Sequence, residues 1–463
     1  MNKSQRLVLI VAVLSSFVAF LDGSVVNVAL PAITQDLEGG LALQQWVVDA
    51  YLITLGALIL TAGSLSDLFG RTKILTIGLI AFGVTSLLVA IAPTGLFLIV
   101  ARLLQGGAGA LLVPSSLAII ISAFHGAAQG KAIGSWTAWT GISFLIGPLI
   151  GGLLVDSIGW RWIFVINVIP IAVALFFVAR LPKQEMPAHR PKLDILGSIF
   201  GTVGLGGTVY ALIEQSNFGW GSPLVLGTLI IGVLSLAAFI WNEGHSSHPM
   251  MPLSLFAVRN FWVGNIATAA IYGALSLGGF VLVIFLQQVL GFSAIEAGLS
   301  SVPTTVLMLL LASRFGALSG RFGPRVFMTV GPLVAGAGYF WMLMAGEDAN
   351  FFTQLLPGIL IWGVGMSATV APLTSAILGS ISDAQSGIGS AVNNAVSRVA
   401  GLVTIAFASI IIGGGDLDVS GFHRIVIAVG ILFVIGGVVS FLGIRNPSKT
   451  KADGSQVVEQ APA

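Results

Sequence analysis

An all-α integral membrane protein of fourteen helices is the fold class that this sequence predicts. Three observations predict it: a shortage of charge, a series of apolar windows of membrane-crossing length, and an internal repeat. Of 463 residues, 20 are Lys or Arg and 18 are Asp or Glu, so 8% are charged while 56% are hydrophobic. A soluble globular chain carries about 25% charged residues. So few could not cover the surface of a soluble protein this size, which excludes soluble enzymes, nucleic-acid binders and disordered scaffolds. The pI near 9.0 accompanies a net charge of only +2 and no basic cluster, so the excess calls for a topological explanation and no nucleic-acid partner is expected. The absence of cysteine excludes disulfides and thiolate metal sites. The five histidines form no metal-ligand pattern, and the His245 and His248 pair reads as a solvated loop.

A transmembrane helix needs about 20 mainly apolar residues. Windows of that size fall at 8–28, 44–63, 74–92, 97–121, 133–155, 161–180, 194–213, 223–241, 261–289, 298–315, 326–345, 352–373, 386–413 and 424–444. The first has no small-residue cleavage site and leads into more membrane sequence, so it reads as a span and not a removable signal. The 59 glycines suit helices that pack closely in a bilayer.

Charge tests the number of spans independently, because basic residues of short loops favour the cytoplasmic side. Starting from a cytoplasmic N-terminus, only Arg161 and Arg424 fall in outer loops, and only Arg102 and Arg398 fall within spans; every other Lys and Arg lies inside. Twelve or fourteen spans preserve this parity and thirteen does not. Both termini are therefore expected in the cytoplasm. The prolines and charges of 181–193 and the polar stretch 242–260 read as connectors, and 446–463 reads as a disordered tail.

The repeat has an offset of 253. It superimposes Gly63-Ser-Leu-Ser-Asp-Leu-Phe-Gly70 on Gly316-Ala-Leu-Ser-Gly-Arg-Phe-Gly323, and the start of the first span on the start of the ninth. Two six-span halves with two additional spans between them follow: 1–182, 183–258 and 259–445, with the tail at 446–463. Repeated halves around a shared pathway characterise secondary transporters that alternate access.

At the level of motifs the chain resembles the major facilitator superfamily, and within it the fourteen-helix drug:proton antiporters. The loop Gly63–Lys73 (GSLSDLFGRTK) matches the superfamily's signature loop after helix 2. Arg102-Leu-Leu-Gln105-Gly106 matches its helix-4 motif. Gly147-Pro148-Leu-Ile-Gly151-Gly152 matches the antiporter motif of helix 5, with Gly134 retained and Ser143 replacing one glycine. Leu21-Asp22 through Pro31, and Gly159-Trp160-Arg161 followed by Asn167 and Pro170, resemble the fourteen-helix branch. The resemblance implies the major facilitator fold, two six-helix bundles plus two central helices, in a bacterial plasma membrane. It implies proton-coupled efflux of lipophilic compounds, driven by the proton gradient without a cofactor, by a chain functional as a monomer. It also implies that Asp67 and Arg71, framed by Gly63 and Gly70, gate the cytoplasmic side, and that Gly134, Gly147, Pro148, Gly151 and Gly152 form a seam against the opposite half. Solvated turn charges and ordinary small-residue packing are the plainer alternatives.

Asp22 and Asp49 are the only carboxylates inside spans. A charge at bilayer depth costs roughly 2.5–3.5 kcal/mol and usually faces a partner or a wet cavity. Helical rise places Asp22, Asp49 and Arg102 within about 10 Å of the outer boundary, in one layer. Either acid, or both, is expected to bind the coupling proton with Arg102 tuning it; the alternatives are a static polar cluster, and for Asp49 an interfacial position marked by Gln44, Gln45 and Trp46. Gln287, Asn394 and Arg398 are candidate substrate contacts. Arg398, lacking a nearby acid, reads either as a contact for an anionic substrate or lipid, or as a side chain reaching the cytoplasmic interface. The C-terminal half carries no intramembrane carboxylate, which favours monovalent, neutral or zwitterionic lipophilic substrates. A dedicated exporter of one metabolite and a lipid-handling or sensory protein are the rival readings. No nucleotide-binding motif or enzyme constellation is present.

Overall fold

Among the described residues the chain forms fourteen apolar helices and no strand. The computed structural model describes residues 1, 3–125, 127–181, 194–382 and 385–446, so the connector 182–193 and the tail 447–463, including the expected cytoplasmic charges Lys183, Arg190, Lys192, Lys449 and Lys451, lie outside the described residues. The helices are α1 (Ser4–Asp36), α2 (Leu41–Phe69), α3 (Arg71–Ala90), α4 (Gly95–Ala123), α5 (Ala128–Ile158), α6 (Trp162–Val178), α7 (Ile195–Phe218), α8 (Pro223–His245), α9 (Arg259–Val289), α10 (Ala294–Phe322), α11 (Pro324–Met344), α12 (Phe351–Leu378), α13 (Ser386–Ile412) and α14 (Val419–Gly443). Thirteen are long enough to cross a membrane; α6 is shorter, and a turn at Ile166 and Asn167 interrupts it.

Local chemistry sets the helix ends. Asp194 caps α7 by accepting from the Gly197 amide at 2.8 Å, and Ser293 with Glu296 forms a reciprocal capping box at the start of α10. Gly70 and Gly323, equivalent in the repeat, both close a helix with positive φ, 97° and 87°, so the chain reverses into α3 and α11 at matching points. Only glycine enters that region without steric cost. The duplication read in the sequence is thus also a duplication of backbone conformation.

Helices α1–α6 and α9–α14 form two halves, and the α7–α8 hairpin lies beside them. The hairpin is tied to α2 by polar contacts: the Thr61 and Ser198 hydroxyls are 2.7 Å apart, and Trp46 Nε1 donates to Glu214 Oε1 at 2.7 Å. Against α13 the hairpin packs through apolar side chains, with Leu205, Val209, Leu212 and Ile213 clustering with Leu402 and Ala406. Away from these contacts α8 exposes Ile230, Leu234 and Trp241, as a lipid-facing helix does.

Close approach of helices depends on small residues. A side chain at Gly106 would overlap the Tyr51 carbonyl and the Thr54 hydroxyl, whose Oγ1 already donates to the Leu103 carbonyl at 2.7 Å. Gly106→Val should therefore force α2 from α4 and cost at least about 1–3 kcal/mol. Thermal unfolding in detergent measures this; an unchanged midpoint would show that the crossing yields easily.

Candidate functional site

Asp22 is completely buried, and its charge is matched by a single cation. Arg102 Nη1 lies 2.6 Å from Asp22 Oδ2, and both side chains are almost fully inaccessible. Asp22 Oδ1 accepts from Gln105 Nε2 and from Asn167 Nδ2, each at 2.9 Å. Gln105 stands three residues beyond Arg102 on α4, so one helical turn presents both the cation and the amide. Its Nε2 also donates to Ser86 Oγ of α3 at 2.9 Å, while its Oε1 accepts from Arg102 Nη1 at 2.7 Å. Arg102 Nε donates to the Val47 carbonyl at 3.0 Å, and the guanidinium lies over the Tyr51 ring, 4.4 Å from its centroid. Five helices contribute side chains: α1, α2, α3, α4 and α6. The interruption of α6 at Ile166 and Asn167 places an amide where a regular apolar helix would present a hydrocarbon. The result is a closed network in which both oxygens of Asp22 are paired.

Asp49 is different. It is equally inaccessible, yet neither carboxyl oxygen has a hydrogen-bond partner. Arg102, expected to tune either acid or both, makes no hydrogen bond to Asp49: its Nε donates to the Val47 carbonyl and its Nη1 to Asp22 and Gln105. The interfacial alternative fails, since the polar residues beside Asp49 turn inward. Gln44 donates to Thr34 Oγ1 at 3.2 Å, Gln45 donates to the Ile405 carbonyl of α13 at 2.6 Å, and Trp46 reaches Glu214. Gln45, Asp49 and Gly56 share one helical face. Gly56 abuts the Arg398 and Val399 side chains of α13. Asp49 consequently sits on the seam between the two halves.

Among the described residues, every hydrogen bond between the halves lies toward the face carrying the α1–α2 turn. Gln45 meets α13, and Gln287 Nε2 donates to the Val28 carbonyl at 3.0 Å. A π-turn over Phe285–Val289 redirects Gln287 toward α1. Asp156 Oδ1 accepts from the Ala294 amide at 3.1 Å, and its Oδ2 accepts from the Ile295 amide at 2.8 Å. A side chain at Gly152 would overlap the Ile295 backbone, and one at Gly298 the Pro148 carbonyl. The antiporter motif is therefore divided. Gly147 and Gly151 pack against Ser24, Val25 and Val28 of their own half, Gly152 and Pro148 meet the opposite half, and a side chain at Gly134 would enter open space.

In the signature loop Arg71 pairs with Asp67 at 3.0 Å, and Nη1 donates to the Ala118 carbonyl of α4 at 3.1 Å; Gly63 has open space about it. These bonds remain inside one half. Asn394 is exposed and donates to the Ser390 carbonyl at 3.1 Å. Arg398 does not reach the cytoplasmic interface. Its β-carbon faces Gly56 near the middle of α2, and its guanidinium lies 5.6 Å from the Phe20 centroid near the middle of α1. The helix begins at Ser386, so the side chain starts too deep to snorkel outward.

Sequence reasoning did not assign Ser86, Tyr51 or Asp156 a place, and it read Gln45 as a mark of the membrane edge. Asn167 stood in a family motif without a role, and its position within an apolar span was the available signal. Among the described residues no cluster of His, Asp and Glu suits a metal ion.

The sequence pattern of the Major Facilitator Superfamily matches residues 12–405 and, overlapping it, 264–462. The puromycin resistance protein pur8 of Streptomyces alboniger is 32% identical over 88% of the chain and 81% of its own length. The methylenomycin A resistance protein of Bacillus subtilis is 32% identical over 88% and 87%. The multidrug resistance protein Stp of Mycobacterium tuberculosis (strain CDC 1551 / Oshkosh) is 34% identical over 88% and 75%. In fold, the chain is similar to the inward-open xylose transporter XylE from E. coli, with a TM-score of 0.64, 16% identity, and 96% and 97% of the two chains covered. A crystal structure of a D-xylose-proton symporter gives a TM-score of 0.67 at 16% identity, covering 96% and 99%.

Proposed function

This chain belongs to the Major Facilitator Superfamily, and on that premise we propose that it exports lipophilic small molecules in exchange for protons, with Asp49 as the exchanging carboxyl. It is a multi-pass transporter of the plasma membrane and not an enzyme. Relatives named for resistance to puromycin, methylenomycin A and multiple drugs support the export reading.

One observation carries the coupling assignment: a fully buried carboxyl without a partner lies on the seam that must open and close. An isolated buried carboxylate is costly, and a proton neutralises it. Opening the seam to water removes that cost, so a change of access changes the tendency to hold the proton. Asp22 lacks this freedom, because both of its carboxyl oxygens are already engaged, by Arg102, Gln105 and Asn167. Its network is the scaffold that fixes α1, α4 and α6 relative to one another. Proton-driven transport needs no cofactor on this scheme, and one chain holds every group invoked.

The charge pattern assigns the α1–α2 face to the outside. Hydrogen bonds between the halves that, among the described residues, are confined to that face support an inward-facing arrangement, in a chain similar in fold to the inward-open xylose transporter. Alternating access then requires the Asp156 contact to part. Because the chain has no cysteine, Asp156→Cys with Ile295→Cys reports on it directly. A short bifunctional maleimide should link the pair and stop transport, whereas each single substitution treated alike should keep it. Full transport by the linked protein would remove the outer seam from the cycle.

Relatives named for single antibiotics favour a second reading, export of one compound only. Expression in a drug-sensitive host separates the two, since broad export protects against unrelated compounds. The export reading itself is tested in acidified inverted vesicles, where an added substrate should discharge the proton gradient. No discharge by any cation, neutral drug or anion of a panel would contradict it.

A further inference from the structure

We propose that Arg398 is the anion-binding group of the cavity between the halves, and that compounds carried there present a carboxylate or phenolate on an aromatic body. The inference deepens the export reading above and rests on it.

Asp22, Asp49, Arg102 and Arg398 lie within the spans. Asp22 and Arg102 cancel each other at 2.6 Å. Asp49 can be neutralised by a proton. Arg398 has neither remedy: a guanidinium keeps its charge in proteins, and among the described residues Arg398 makes no hydrogen bond and no ion pair. Asp49 stands seven residues from Gly56 along α2, about 10 Å of helix, and contacts no cation. A solitary cation at mid-depth is costly and marks a functional position.

The surroundings indicate what would compensate it. Arg398 is only partly buried in the space between the halves, where its guanidinium lies beside the Phe20 ring of α1. The same space is lined on α1 by Phe20 and Gly23, one helical turn apart, which stay accessible while their neighbours on that helix are buried. The Phe20 and Phe144 rings lie 5.7 Å apart and form an aromatic wall beside the guanidinium. A guanidinium fork matches the two oxygens of a carboxylate, and the flanking rings match a planar hydrocarbon. A cation or a purely apolar compound would leave the five donors unmet.

Three fluorescent probes with one skeleton test this: pyrenebutyrate, its methyl ester and pyrenebutyl-trimethylammonium. They are titrated onto purified full-length protein in phosphatidylcholine nanodiscs. The wild type should bind the acid about tenfold or more tightly than the ester. Arg398→Gln should bind the two alike, and Arg398→Lys should keep part of the preference. Equal binding by the wild type, or a preference that survives in Arg398→Gln, overturns the proposal. Phosphatidylglycerol added to the discs separates two sources of the anion. Undiminished binding of pyrenebutyrate supports a free organic acid, and competition overturns that assignment in favour of a lipid headgroup. Uptake of the same probes by energised inverted vesicles scores export separately. Uptake of the ester or the cation with no preference for the acid would leave export standing and remove the anion site. Uptake of none would remove export itself.

Discussion

Arg102→Met should destabilise the protein by about 3–5 kcal/mol, because it removes one member of a buried ion pair and leaves Asp22 with an uncompensated charge. The loss extends beyond Coulomb energy. Arg102 also bonds the Val47 carbonyl and the Gln105 side chain, so α1 and α2 lose their common partner on α4. Combining Arg102→Met with Asp22→Asn removes both charges and should recover part of the stability, since the second substitution relieves the stranded acid. Thermal unfolding of the two variants in one detergent measures the difference. A double variant less stable than Arg102→Met would mean that Asp22 stabilises the fold independently of its cation. Transport should be low in both, because α1, α4 and α6 lose their fixed relation.

Asp49→Asn should behave in the opposite way. No hydrogen bond or ion pair is lost, so the unfolding midpoint should stay at or above that of the wild type. Proton-linked export should fall at least about tenfold, to the level of empty vesicles, because an amide cannot exchange a proton at this position. Asp49→Glu keeps the chemistry and should retain measurable transport. Stability lost together with activity in Asp49→Asn would make this carboxyl structural. Normal folding and normal proton-driven transport would leave Asp22 as the remaining intramembrane acid.

Charge was the most legible part of this molecule. Because charged residues are so few, Asp22 and Arg102 could be placed in one layer from helical rise alone, and they meet. The repeat was equally readable, since Gly70 and Gly323 mark reversals that only a glycine makes cheaply. Asp49 was harder. Gln44, Gln45 and Trp46 resemble a membrane edge in composition, but each finds a partner inside the protein: Thr34, the α13 carbonyls and Glu214. Polar residues near a helix end do not disclose whether they face water or another helix. Arg398 was ambiguous for a related reason. Its depth depends on how α13 lies against α2 and α1, and hydropathy does not encode that relation. The Asp156 contact joins residues 138 and 139 positions apart across two halves, and no local pattern announces it.

The central claim is that binding of an exported compound displaces a proton from Asp49. The direct measurement uses purified protein in weakly buffered detergent solution, with a pH-sensitive dye following additions of a compound shown to be exported. The wild type should release up to one proton per bound molecule, and Asp49→Asn should bind the compound while releasing none. Binding without proton release by the wild type, or undiminished release by Asp49→Asn, would contradict the account.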